Sequence, residues 1–120
     1  MNIEEVREYC LSLPEASESF PFDEETLVFK VAGKIFLFLP LDAIPVFVMV
    51  KCDPVLAIEL RERYAEVQPG YHLNKKYWNS IYLSERLDSE LITSWIFHSY
   101  REVIKKLPQC KRKPLEEQIQ

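Results

Sequence analysis

Residues 69–83, PGYHLNKKYWNSIYL, hold the densest set of groups able to do chemistry in this chain. Lys75 and Lys76 stand between Tyr71 and His72 on one side and Tyr77, Trp78 and Asn79 on the other. Lysine ammoniums neutralise phosphates, aromatic rings stack on bases, and asparagine amides bond base edges or phosphate oxygens. Two more cations, Arg101 and Lys105, follow four residues apart on the last expected helix. The candidate nucleic-acid-binding residues are therefore His72, Asn74, Lys75, Lys76, Tyr77, Asn79, Arg101 and Lys105. The same stretch admits a plainer reading, with Tyr71, Trp78 and Ile81 in the core and the lysines on an ordinary exposed turn.

Other chemistries find less support. The two glycines, Gly33 and Gly70, lie in neither a GxGxxG nor a GxxxxGK[ST] pattern, so no phosphate-binding loop is expected. GxSxG and HExxH are also absent. His98 falls three residues after Trp95, at the edge of a packed helix face, where a structural role is expected. Glu4 and Glu8 share one face of the first helix, but no acid-rich loop with ligand spacing accompanies them, and no metal site is expected. Cys10, Cys52 and Cys110 are far apart and form no CxxC pair, which argues against a disulfide scaffold or a zinc site. No catalytic residue and no cofactor is expected.

The elements that would position these groups follow from hydrophobic period. Asn2 can cap a helix whose apolar stripe is Ile3, Val6, Cys10 and Leu13, and Pro14 ends it. Glu15 to Asp23 reads as a polar connector. Thr26 to Val31 and Ile35 to Leu39 read as strands joined by a hairpin turn at Ala32-Gly33-Lys34. A proline-bounded loop, Pro40 to Pro45, leads to a further strand, Val46 to Lys51. Asp53-Pro54 starts a helix with Leu56, Ala57, Leu60 and Tyr64 inward and Arg61, Glu62 and Glu66 largely off that face. Gln68-Pro69-Gly70 reads as a turn, Asn74-Lys75-Lys76 as a second turn, and Ile81 to Leu83 as part of a strand. Asp88 caps the last helix, with Ile92, Ile96, Val103 and Leu107 inward, widened by Leu91 and Trp95. This order predicts an α+β two-layer sandwich, an antiparallel sheet with helices on one face, because a short hairpin turn cannot serve a parallel sheet. Residues 1–108 read as a single domain and 109–120 as a polar, mobile tail.

Composition narrows the class. At 48% hydrophobic and 12% aromatic, the chain of 120 residues is too apolar for disorder and large enough to bury a core without staples. It holds no apolar run long enough to cross a bilayer. The N-terminus is acidic where a secretory leader would be basic, so reduced thiols in the cytoplasm are expected. The net charge of -4 conceals a gradient: residues 1–30 carry eight acids against two bases, residues 71–113 nine bases against four acids. The basic half suits nucleic acid. The acidic first helix, with Glu4, Glu5 and Glu8, suits an alternative function as a protein-interaction module.

The stretch GYHLNKKYWNSI resembles the motif of the MmcQ/YjbR family. Leu13-Pro14-Glu15-Ala16 with Phe20-Pro21-Phe22, Val28-Phe29-Lys30-Val31 with Gly33-Lys34, Lys51-Cys52-Asp53-Pro54 and His98-Ser99-Tyr100 match it in order, so the resemblance covers about residues 1–107. It implies a CyaY-like or secretion-chaperone-like sandwich and a DNA-binding protein with a double-wing arrangement. Tyr71, His72, Asn74, Lys75, Lys76, Trp78 and Asn79 are the matching positions. The frataxin-like side of that fold comparison would place iron on Glu4, Glu5 and Glu8.

Overall fold

Asn2 starts the first helix with a reciprocal cap: its side chain accepts the Glu5 N–H at 2.8 Å, and the Glu5 carboxylate accepts the Asn2 N–H at 3.2 Å. The computed structural model, which describes residues 1–70 and 73–119, places helix α1 over Ile3–Ser12, with Val6 and Cys10 buried. Burial pushes the Cys10 thiol up to about 12, so it packs as a small apolar side chain.

The connector expected after α1 contains a strand. β1 (Ala16–Ser19) pairs antiparallel with β2 (Thr26–Val31). Its sequence, ASES, has no strand propensity, and pairing to β2 imposes the conformation. Arg7 of α1 holds it from the helix side through a two-pronged contact to Glu18, at 2.7 and 2.5 Å. That contact keeps the Glu18 carboxyl below the usual carboxylate range.

β2 turns into β3 (Lys34–Pro40) through Ala32 and Gly33, at φ +49° and +81°. Two successive positive φ values are what a two-residue hairpin turn with the sheet's twist requires. β4 (Phe47–Lys51) follows, then α2 (Pro54–Arg63), capped by Asp53, whose carboxylate accepts the N–H groups of Val55 and Leu56 at 3.1 Å each. Ala57 and Leu60 are buried, while Leu56 and Tyr64 are half-buried. The turn expected at Gln68-Pro69-Gly70 is instead mostly strand: β5 (Val67–Pro69) pairs with β6 (Trp78–Tyr82). Pro69 is tolerated because β5 is an edge strand. Gly70 then passes so close to Trp78 that an added Cβ would lie 2.8 Å from the Trp78 Cβ.

α3 (Ser89–Ile104) lies over β3 and β4, burying Ile92, Trp95, Ile96, Tyr100, Val103 and Ile104. The polar tail expected from Gln109 forms helix α4 (Gln109–Gln118), and Leu115 joins the core. One buried leucine in a polar segment carries too little periodicity to announce a helix.

The sheet runs β1-β2-β3-β4-β6-β5, each strand antiparallel to its neighbour, an α+β arrangement as the element order predicts. Leu27, Phe29, Leu37, Leu39, Val48, Val50 and Ile81 face the helices and form one core with them. On the opposite face Phe38 is flanked by Phe22, stacked at 6.3 Å, and Trp78, edge-on at 5.4 Å. α1 packs beside β1 and α2 beside β5, at opposite edges of the sheet, with α3 between. The acidic start of α1, with Glu4 and Glu5, borders a cleft shared with Val46, Leu83 and Glu85. Among the described residues no helix is long and apolar enough to cross a membrane.

Candidate nucleic-acid interface

The loop that enters β6 is folded by its own side chains and by α2. Asn74 Oδ1 accepts the Lys76 N–H at 3.0 Å, and the Asn74 carbonyl accepts the N–H groups of Tyr77 and Trp78 at 3.0 Å each. The Tyr77 carbonyl accepts the Cys52 N–H at 2.7 Å, tying the turn to the end of β4. Arg61 closes it from below: Nε–H donates to Asn79 Oδ1 at 2.6 Å, and Nη2 donates to the carbonyls of Lys75 and, at 3.2 Å, Trp78. A tight turn leaves carbonyls that no strand can satisfy, and the planar guanidinium fork reaches several at once. Arg61 was expected largely off the buried face of its helix; it is half-buried and braces the turn.

Asn79, expected at the interface, is 1% exposed. Its oxygen is taken by Arg61 and its amide donates to the Ala57 carbonyl at 3.3 Å. Its register opposite Val50 on the core-facing side of β6 dictates that burial, so its role is to join α2 to the sheet. Asn74 shapes the turn through its own side chain.

Lys76 is exposed and Tyr77 half-buried. The Tyr77 ring has two ammoniums near it, Lys76 Nζ at 5.5 Å and Lys106 Nζ at 5.3 Å from its centroid. Both distances are in the cation–π range. Lys106 lies just past the end of α3, so the turn and the end of α3 meet at this ring. Arg101 and Lys105 belong to a second group. Together with Ile104, Glu116 and Ile119 they line the groove between α3 and α4, Arg101 lies 6.0 Å from the Phe97 centroid, and Lys105 pairs with Glu102 at 2.7 Å. The structure brings together Lys76, Tyr77 and Lys106 rather than all the expected cations. Lys75 supplies a carbonyl to Arg61. His72 and Tyr71 lie outside the described residues.

Comparison with known proteins sets these features in a family. The family model YjbR matches residues 11–102. The chain belongs to the YjbR family. Escherichia coli YjbR (strain K12) is 33% identical over 115 residues, covering 96% of this chain and 98% of that protein. YbdF of Escherichia coli O157:H7 is 34% identical, covering 92% of this chain and 90% of its own length. Among solved structures, the Deinococcus radiodurans protein DR2400, with its DUF419 domain, superposes with a TM-score of 0.89 at 36% identity, covering 96% of this chain and 88% of that one. A Pseudomonas syringae protein shares the fold, with a TM-score of 0.74 at 22% identity over 85% of this chain and 98% of its own. In this YjbR-family chain, Gly70, Asn74 and Asn79 of the motif serve to build the turn, and Lys76 and Tyr77 are what the turn displays.

His98, expected to be structural, accepts the Asp53 N–H through Nε2 at 3.1 Å, bracing the start of α2 from α3. Burial holds its pKa below the ordinary value of 6.5, with Glu102 opposing the shift. The neutral ring is the one the fold uses, since a protonated Nε2 cannot accept. The unfolded chain therefore binds the extra proton first as pH falls below 6.5. The His98 contribution is complete above that pH and is lost as pH falls through the depressed folded value. Urea unfolding at steps from pH 7.5 to 5 is expected to show this loss, and His98→Gln, which keeps an acceptor, is expected to flatten it. Glu18 and Asp23, both held below the usual carboxylate range, lose their contributions at more acid pH.

Proposed function

We propose that this protein is a non-catalytic DNA-binding protein whose contacts to the phosphate backbone centre on Tyr77. The observation that carries this reading is the meeting of Lys76, from the basic-aromatic turn, and Lys106, from just past the end of α3, at one half-buried aromatic ring. Among the described residues no carboxylate lies within ion-pair distance of either ammonium. Their charge is therefore available to a phosphate, and the ring between them offers a stacking surface. The negative total charge does not oppose this, because the charge is divided along the chain, with residues 1–30 carrying eight acids against two bases and residues 71–113 nine bases against four acids.

The test is fluorescence anisotropy with a labelled DNA duplex at several salt concentrations. Affinity is expected to fall with salt, and Lys76→Ala with Lys106→Ala is expected to reduce the slope of log K against log salt by about 2, one contact for each lysine. The loss should be the same for unrelated sequences, because phosphates carry no sequence information. Absence of binding at low salt with protein in large excess would overturn the reading.

A further inference from the structure

Beside the Tyr77 ring, on the other side of Lys106, the structure holds a second concentration of positive charge. An open cleft of about 320 Å³ lies between the start of β3, the end of β4 and the end of α3. Lys34, Lys51 and Lys106 line it, and Ile35, Val103 and Leu107 form its apolar part. The three cations come from three elements remote in sequence, so the cleft exists only in the folded chain. None of the three makes an ion pair among the described residues. The carboxylate that acts on Lys51 from α3 is Glu102, and it is already bonded to Lys105 at 2.7 Å.

We propose that this cleft is a binding site for a phosphoryl group. Like charges gathered on a partly apolar wall raise the energy of the folded protein unless an anion joins them. The Lys51 ammonium already reflects that arrangement, since burial and then Lys106 lower its pKa. A phosphoryl dianion is the matching ligand, because its oxygens accept from several ammoniums together, whereas a single carboxylate neutralises one. The volume stands at the lower end of ligand clefts, which suits a phosphate-bearing group better than a large apolar molecule. The group can belong to a nucleic-acid backbone or to a small phosphorylated molecule, and the site stands on Lys34 and Lys51, which the DNA reading does not use.

The experiment is calorimetric titration of the full chain with inorganic pyrophosphate, with sodium chloride at matched ionic strength as the control. In parallel, a duplex oligonucleotide and a nucleoside monophosphate are titrated against the same protein. Wild type is expected to bind pyrophosphate, and Lys34→Met with Lys51→Met is expected to weaken it at least tenfold. The same double variant is expected to melt at or above the wild-type temperature, because it removes repulsion and keeps the apolar stems, which separates lost binding from lost folding. Pyrophosphate binding without oligonucleotide binding would support the site with a small phosphorylated molecule as its ligand, while counting against the DNA reading. Binding of both, each weakened by the double variant, would support it with the nucleic-acid backbone as the source. No response to pyrophosphate beyond the chloride control, or undiminished binding by a folded double variant, would overturn the proposal.

Discussion

Replacing Arg61 by Ala is expected to destabilise the protein by about 3 kcal/mol, the scale for removing a charged partner of several hydrogen bonds and leaving a buried acceptor without one. The guanidinium holds Asn79 Oδ1 and the carbonyls of Lys75 and Trp78, so its removal takes the donor from the buried Asn79 oxygen. Urea unfolding followed by tryptophan fluorescence reads the loss, since Trp78 lies at the affected turn. Lysine at this position is expected to recover less than half of it, because one ammonium cannot span acceptors that a planar fork bridges. The loss should reach the surface as well. Lys76 and Tyr77 keep their places because the carbonyls on either side of them are fixed, so Arg61→Ala is expected to weaken DNA binding in the folded protein although Arg61 faces inward. A folded Arg61→Ala variant with wild-type stability would show that the brace carries no weight.

Arg61 also marks where the sequence stops being legible. The helices were readable wherever a cap and an apolar stripe coincide: Asn2 with Val6 and Cys10, Asp53-Pro54 with Ala57 and Leu60, Asp88 with Ile92 and Ile96. The central strands were readable because their apolar runs are nearly continuous. β1 and β5 were not, since ASES and VQP acquire strand geometry only from the partners they pair with. α4 was not, because a single buried leucine holds it to the core. In the site, a local signal disclosed the turn and its display of Lys76 and Tyr77. Nothing in the spacing disclosed Lys106, Lys51 or Lys34, which topology alone brings to the same region. Asn79 was misplaced for a related reason: a polar residue beside a tryptophan reads as surface, and only its register opposite Val50 turns it inward.

The same limit applies to Ser99, whose replacement by Ala is expected to cost about 2 to 3 kcal/mol, the scale for leaving buried polar groups unpaired. Within a helix face otherwise made of Ile, Trp, Tyr and Val, its hydroxyl is fully buried. Phe36 is the extra residue where the pairing of β2 with β3 shifts, since Phe29 faces Leu37 and Lys30 faces Ile35. The regular pairing of β3 with β4 runs through Leu37 opposite Val50 and Phe38 opposite Met49. Beyond it, Phe36 and Lys51 would supply the next rung. The bulge prevents that, and Ser99 Oγ supplies the missing connection, donating to the Phe36 carbonyl at 2.5 Å and accepting the Lys51 N–H at 2.8 Å. Alanine fits the space but satisfies neither group, and the tight packing around Phe36 and Tyr100, whose rings meet edge-on at 5.4 Å, leaves little room for a replacement water. Hydrogen exchange separates this from general weakening: the Lys51 amide is expected to lose protection beyond the fall in global stability, while the Val48 and Val50 amides fall only with it. Because Lys51 is also the lysine that β4 lends to the cationic cleft, the helix hydroxyl that completes the sheet also fixes one wall of the proposed phosphoryl site. Ser99→Ala is therefore expected to lower pyrophosphate affinity at temperatures where the variant remains folded.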